Sequence, residues 1–325
     1  MANALRTWLV TGGAGFIGSH LATRIAETGR PVRVVDNLST GSRSNLAHLD
    51  GRIEFIEGDL ADERTCARAV DGVEVVFHVA ALPSVPRSLA DPWGSHDANV
   101  NATVRLLQAA HAAGVRRVVF SSSSSVYGDT PALPKVEDVE PLPRSPYAAS
   151  KLAAEQYVLA YARAGLLEAV ALRYFNVFGP RQSPDSQYAA VIPLFLRAAM
   201  TGAPATVFGD GGQTRDFTYV ANVVEANLLA ATAPAERSSG HPINVGAGER
   251  TSINELLAMI ELVTRRPIAR AERPPRPGDV RDSLAGLRRA SERLGYRPAV
   301  RLAEGLRLTW EWFDARESAL TAGPD

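Results

Sequence analysis

Cys66 is the only cysteine in this chain. An intrachain disulfide is therefore excluded, and so is a zinc site built from CxxC or Cys/His clusters; no metal site is expected. Charge of either sign is not in excess. Lys and Arg number 35 and Asp and Glu number 35, which removes any general electrostatic case for nucleic acid or a membrane surface. Long hydrophobic runs are missing too. None approaches the roughly 18 apolar residues of a membrane helix. The apolar tract near the N-terminus is broken by glycines and His20 and lacks the charged region, apolar core and cleavage site of a secretory signal. The expectation is a cytoplasmic protein. What is there, 46% hydrophobic and 22% charged residues over 325 positions, suits a globular enzyme of one large domain or about two ordinary ones.

The first 180 residues alternate short apolar runs with helix-like segments. Strands are expected at Thr7 to Thr11, Val32 to Val35, Ile53 to Ile56, Val73 to Val79, Val115 to Ser121 and about Glu168 to Leu172. Helices are expected at Ile17 to Glu27, from about Asn99 to Ala113 (ended by Gly114), and from Tyr147 onward. Strands separated by helices predict an α/β fold, a Rossmann-type doubly wound parallel sheet. After about residue 180 Pro, Gly and Arg become frequent. The run Arg273-Pro274-Pro275-Arg276-Pro277-Gly278 cannot be a helix interior and reads as a semi-rigid surface loop. The expected division is a dinucleotide-binding domain over 1–180, completed by later segments, and a smaller C-terminal α/β substrate domain over 181–325.

Thr11-Gly12-Gly13-Ala14-Gly15-Phe16-Ile17-Gly18 follows the first strand and opens the first helix. Glycines there permit a tight turn and close approach of the backbone to a pyrophosphate, which the helix N-terminus attracts. Asp36 ends the next strand, 18 residues after Gly18, near the expected spacing of about 20. A carboxylate in that place accepts bonds from ribose hydroxyls and repels a 2′-phosphate, so it favours NAD over NADP. Arg33 and Arg43 lie nearby and could weaken that preference unless they are solvated. Asp59 and Leu60 follow the third strand, where an acid could reach the adenine edge or serve only as a turn residue. Ala80 and Ala81 follow the fourth strand and would let the backbone approach the cofactor or simply pack closely.

Ser145-Pro146-Tyr147-Ala148-Ala149-Ser150-Lys151 is the most informative stretch. Ser145 suits a helix N-cap and Pro146 the first helical position. Tyr147 and Lys151, four apart, then share a face. A free phenol has a pKa of about 10, and a neighbouring ammonium favours its ionised form. The pair thus predicts a tyrosine tuned to exchange a proton. Upstream stand five serines, Ser121 to Ser125, of which Ser121 and Ser122 can be read as a polar strand-end loop.

Together the glycine loop, Asp36, Ser123, Tyr147-x-x-x-Lys151 and Leu172-Arg173-Tyr174-Phe175-Asn176 resemble extended short-chain dehydrogenases/reductases, and more narrowly the NAD-dependent UDP-sugar 4-epimerases, over about residues 6 to 313. Ser84-Val85-Pro86-Arg87-Ser88, Tyr188-Ala189-Ala190-Val191-Ile192-Pro193 and Gly278-Asp279-Val280-Arg281 look most like the UDP-N-acetylglucosamine 4-epimerases. The resemblance implies that Ser123, Tyr147 and Lys151 are catalytic. Tyr147 would take the proton of the sugar 4-hydroxyl while the hydride leaves C4 for NAD. Ser123 would bond the 4-oxygen, and Lys151 the nicotinamide ribose. A 4-keto sugar then turns over and is reduced on its other face. The implied cofactor set is Gly12, Gly15, Phe16, Ile17, Gly18, Asp36, Asn37, Asp59, Leu60, Ala80, Ala81, Asn99, Tyr147, Lys151 and Tyr174. Related dehydratases carry Asp-Glu after the catalytic hydroxyl residue, and decarboxylases commonly carry Glu at the second of those places. Here both are serines, Ser124 and Ser125, which cannot act as acids or bases near neutral pH.

For the sugar nucleotide, the resemblance implies Ser84, Ser123, Tyr147, Asn176, Ala190, Val191, Arg215, Arg276, Asp279 and Ser283. Asn176, Arg215 and Arg276 would meet the diphosphate, Asp279 the uridine ribose, and residues 188–191 the uracil. Ser283 is small at a place where a bulky aromatic would exclude an N-acetyl group. The expected substrates are therefore UDP-GlcNAc/UDP-GalNAc, with UDP-Glc/UDP-Gal beside them. A UDP-glucuronate 4-epimerase stays open, with Arg181 or Arg87 for the carboxylate. So do a nucleotide-sugar dehydrogenase releasing NADH and, on the same fold, a non-catalytic NAD-binding regulator. The resemblance also implies a homodimer through the helices at 99–113 and 147–163.

Overall fold

The computed structural model describes residues 5–184, 190–275 and 280–321. Six strands come from residues 7–174: β1 (Thr7–Thr11), β2 (Val32–Asp36), β3 (Ile53–Glu57), β4 (Val73–His78), β5 (Arg117–Ser123) and β6 (Glu168–Tyr174). A seventh, His241–Val245, adds itself to the edge beside β6. All pair in parallel, in the order seventh strand, β6, β5, β4, β1, β2, β3. The chain leaves β1 in one direction for β2 and β3, then returns to β1's other side for β4. That reversal opens a crevice at the carboxyl ends of β1 and β4, where ligands of such sheets bind.

Period-two alternation sorts each strand between two cores. Trp8, Val10, Val34, Phe77 and Val119 face one apolar cluster, while Leu9, Val35, Val76, Val118 and Phe120 face the other. Helix α1 (Phe16–Glu27) covers the first with Leu21, Ala22 and Ile25.

Several boundaries differ from expectation. β5 begins at Arg117, because Val115 N–H turns back to the Ala110 carbonyl (2.9 Å) and closes the preceding helix after Gly114. It then continues to Ser123, pairing Ser121, Ser122 and Ser123 with Leu172, Arg173 and Tyr174. Ser121 is thus strand, as the expected strand end, and Ser122 is strand rather than loop. Their hydroxyls find buried partners, Tyr174 and Glu155, at 3.0 and 2.6 Å. β4 stops at His78, one residue early, and β6 runs on to Tyr174. The helix expected from Asn99 begins earlier, as α-helix over Pro92–His96, passes through a π-helical turn at Asp97–Asn101, and continues as α-helix over Ala102–Ala112.

Beyond β6, helices Val191–Thr201, Ile253–Thr264 and Leu302–Thr321 pack together. A parallel pair of short strands, Ala205–Phe208 and Arg270–Arg273, lies beside them. Arg273 therefore ends a strand rather than opening the expected loop, and residues 276–279 lie outside those described. No described helix is long and apolar enough to cross a membrane.

Candidate active site

The turn between β1 and α1 is closed by contacts that only glycine allows. Gly12 has φ +64°, and a Cβ there would stand 2.7 Å from Ala80 Cα. A Cβ on Gly18 would stand 2.2 Å from the Gly12 carbonyl oxygen. The α1 N-terminus and the end of β4 are thereby pressed together around the crevice. Asp36 ends β2, 8% exposed, its Oδ2 accepting Ala14 N–H (2.9 Å) and its Oδ1 Leu38 N–H (2.8 Å). Burial pushes its pKa up while those N–H groups pull it down. Asn37 Nδ2 donates to Asp59 Oδ2 at 2.7 Å, beside the Asp59 turn.

A cavity of about 520 Å³ brings together Gly12, Gly15, Phe16, Ile17, Gly18, Asp36, Asn37, Asp59, Leu60, Ala80, Ala81, Tyr147, Lys151 and Tyr174. Arg33 is turned away from it, onto Glu54 and the carbonyls of Arg68, Ala69 and Asp71. Arg43 pairs with Glu57 at 3.4 Å and lies over Phe55. Neither arginine is placed to offset the Asp36 charge.

Tyr147 and Lys151 lie on the helix Pro146–Arg163, whose N-cap Ser145 accepts Ala148 N–H at 3.1 Å with Pro146 next. Tyr147 is half-buried and lines the cavity. Desolvation raises the phenol's pKa, and a hydrogen bond with Ser123 opposes that rise. Ser123 Oγ also accepts from Ser125 N–H (3.2 Å) and Ser125 Oγ–H (2.9 Å). Lys151 is 3% exposed, with Nζ 4.5 Å above the Phe120 ring. Burial lowers its pKa to about 7 against the attraction of Glu155. Among the described residues its ammonium has no hydrogen-bond partner, so its donors are left for whatever fills the cavity.

Beneath the cavity runs a chain of hydrogen bonds absent from the sequence reading. Thr103 Oγ1 donates to the Asn99 carbonyl (2.7 Å) and lies 2.9 Å from His78 Nε2. Its one proton is committed, so His78 Nε2 carries the hydrogen. His78 Nδ1 then accepts from Thr11 Oγ1 (2.8 Å), which in turn accepts Val79 and Ala80 N–H. Burial, with Lys151 nearby, drops the His78 pKa to about 3 and fixes the neutral ring. Asn99 itself bonds Leu82 N–H (2.8 Å) and Ser150 Oγ (2.9 Å), supporting the floor rather than lining the cavity.

A second cavity, of about 500 Å³, gathers Asn176, Ala190, Val191 and Arg215. Ser84 caps the helix Val85–Ala90 by accepting Arg87 N–H (3.1 Å) and lines neither cavity. Ser283 is buried, its N–H bonded to the Thr214 carbonyl (3.1 Å), and also lines neither. Tyr188, Arg276 and Asp279 lie outside the described residues. Of the two arginines considered for a sugar carboxylate, Arg87 lines the first cavity with Tyr147, whereas Arg181 turns onto α1 to meet Thr23 and His48. Among the described residues there is no cluster of three His, Cys, Asp or Glu that could hold a metal.

The sequence matches the NAD dependent epimerase/dehydratase family over residues 8–246. A UDP-glucose 4-epimerase of Mycolicibacterium smegmatis is 43% identical over 94% of this chain and 97% of its own length. A UDP-N-acetylglucosamine 4-epimerase from Methanobrevibacter ruminantium, solved with UDP-N-acetylmuramic acid, is 39% identical with a TM-score of 0.90, over 97% of this chain and all of that one. A UDP-glucuronic acid 4-epimerase variant from Bacillus cereus, solved with a fluorinated UDP-glucuronic acid and NAD, is 31% identical with a TM-score of 0.89, over 95% and 99%. The chain belongs to the NAD-dependent epimerase/dehydratase family. It is an enzyme of that family, with NAD as its cofactor. The residues present fit NAD: a glycine-walled helix N-terminus, a carboxylate closing β2, and a buried lysine whose donors face the cavity.

Proposed function

We propose that the protein is an NAD-dependent UDP-sugar 4-epimerase that interconverts UDP-GlcNAc with UDP-GalNAc and UDP-Glc with UDP-Gal. The observation that carries this reading is that Tyr147 and Lys151 line the cofactor cavity together, with Ser123 hydrogen-bonded to Tyr147 and serines rather than carboxylates at 124 and 125. Bound NAD supplies a reversible hydride acceptor for a carbinol carbon. The chain supplies the rest. Tyr147 holds and returns the proton of the sugar 4-hydroxyl. Ser123 orients that oxygen. Lys151 positions the cofactor ribose and favours the Tyr147 phenolate. With no acid at 124 or 125, the 4-keto sugar loses nothing from C5 or C6 and is reduced again after turning over.

Asn176, Arg215 and Arg276 are assigned to the diphosphate, Asp279 to the uridine ribose, and Ala190 and Val191 to the uracil. A guanidinium such as Arg215 can bind phosphate oxygens in a bidentate manner. Ser283 is assigned to the space beside the sugar C2 substituent. Comparing turnover of UDP-GlcNAc and UDP-Glc tests that assignment: no detectable UDP-GlcNAc turnover sinks it. One observation favours a second reading, a UDP-glucuronate 4-epimerase. Arg87, half-buried and with no ion pair among the described residues, lines the cavity with Tyr147 and is available to a C5 carboxylate. Turnover of UDP-GlcA in preference to the other two would select it. A homodimer through the helices around 102–112 and 146–163 is part of the proposal, and sedimentation of the purified protein tests it.

A further inference from the structure

Asp216 is fully buried, yet nothing in the chemistry above uses it. Its carboxylate is spent on three backbone N–H groups from two distant segments. Oδ1 accepts Ala247 N–H at 2.8 Å; Oδ2 accepts Gly248 N–H and Ala285 N–H, each at 3.0 Å. The first two lie just past the seventh strand of the sheet. The third lies two residues after Ser283, on the segment that continues from residues 276–279. The Asp216 carbonyl meanwhile accepts from Asn176 Nδ2 at 3.2 Å. Asn176 has φ +27°, a conformation uncommon outside glycine, although asparagine adopts positive φ more readily than most residues. Its own carbonyl is fixed by Thr218 N–H at 3.2 Å.

We infer that Asp216 is a positioning residue for sugar-nucleotide binding. It clasps the sheet's edge to the segment carrying Ser283, and so sets the places of Asn176 and Arg215 at the second cavity. The inference rests on the functional reading above. The clasp is tight by construction. Gly246 passes between its members, and a Cβ there would stand 2.5 Å from Ala285 Cβ and 2.8 Å from Asp216 Oδ2. Two substitutions therefore reach the same clasp from opposite sides. Asp216→Asn replaces one acceptor oxygen with a donor facing backbone donors. Gly246→Ala wedges the segments apart and leaves every hydrogen-bonding group in place. Asp216 and Gly246 line neither cavity.

The experiment measures KM, kcat, bound NAD and thermal unfolding for the full-length holoenzyme and both variants, with whichever UDP-hexose the wild type turns over. Loss of a hydrogen bond to a charged group predicts a KM raised about tenfold or more, with kcat and NAD content nearly unchanged. An unchanged KM in both variants overturns the inference. So does a proportional fall of kcat and NAD content with stability, or failure of both variants to fold, since each marks a purely structural residue. A wild type that turns over no UDP-hexose defeats the functional reading instead. UDP binding measured by calorimetry then decides the clasp: weaker binding to either variant supports it, and equal binding overturns it.

Discussion

Glu155 and Arg173 form a buried ion pair directly behind the reactive residues. Arg173 Nη2 donates to Glu155 Oε1 at 2.6 Å and Nε to Oε2 at 3.0 Å, with the two side chains 2% and 0% exposed. Ser122 Oγ–H donates to the same carboxylate. Glu155 lies one turn beyond Lys151 on the same helix face, Ser122 precedes Ser123, and Arg173 precedes Tyr174. The pair therefore pins the Tyr147 helix to β5 and β6 at the point where proton transfer is expected. Removing one partner of such a pair leaves an uncompensated buried charge. Glu155→Gln should destabilise the fold by about 3–5 kcal/mol, while the double change Glu155→Met with Arg173→Met should recover much of that loss. Urea unfolding of the three proteins checks both halves of the statement.

Lys151 gives a pH signature. Its folded-state pKa of about 7 lies below the usual lysine value because burial disfavours the charged form. Between those two values the unfolded chain binds more protons than the folded one, so this group makes stability rise as pH increases. Lys151→Met in the NAD-free protein should therefore be more stable than the wild type below pH 7. The difference should close as pH climbs from about 7 towards 10.5. Melting temperatures across that range show the closing gap or its absence.

Asp36 governs the choice of cofactor. Asp36→Asn keeps one acceptor oxygen but removes the charge that repels a 2′-phosphate. NAD should bind about tenfold or more weakly, as expected for losing a charge-assisted hydrogen bond, and the preference over NADP should narrow. Titration of the two dinucleotides against the stripped protein measures both effects.

Tyr147→Phe removes the proton carrier and leaves the ring in place. Turnover should fall by at least ~10²–10⁴-fold, the contribution of a positioned acid–base group. NAD content should stay near the wild-type level, and a rate within a few-fold of wild type would assign the proton transfer elsewhere.

The sheet was legible in the sequence because its strands are short apolar runs set off by glycine turns, and the cofactor loop because its glycines carry a spacing with one physical use. Tyr147 and Lys151 were legible because Ser145 and Pro146 announce the helix that aligns them. The interior polar groups were not. Ser121 and Ser122 could be read as no more than a polar strand end, since nothing local reveals that Tyr174 and Glu155, more than 30 positions away, wait for their hydroxyls. His78, Thr11 and Thr103 look unremarkable alone and acquire meaning only where β1, β4 and the following helix meet. Asp216 is of the same kind: its three partners are 31, 32 and 69 residues distant. The boundary errors at β5 and the Asn99 helix come from a turn and a π-helical turn, which apolar periodicity does not encode.

The most direct test of the central claim is to incubate the purified protein with UDP-GlcNAc and UDP-Glc separately, adding no NAD, and to identify the sugar products. The account predicts that the 4-epimer forms and that NADH does not accumulate beyond the amount of enzyme. NADH in excess over enzyme once NAD is supplied, or no epimer from any UDP-hexose with or without added NAD, would contradict it.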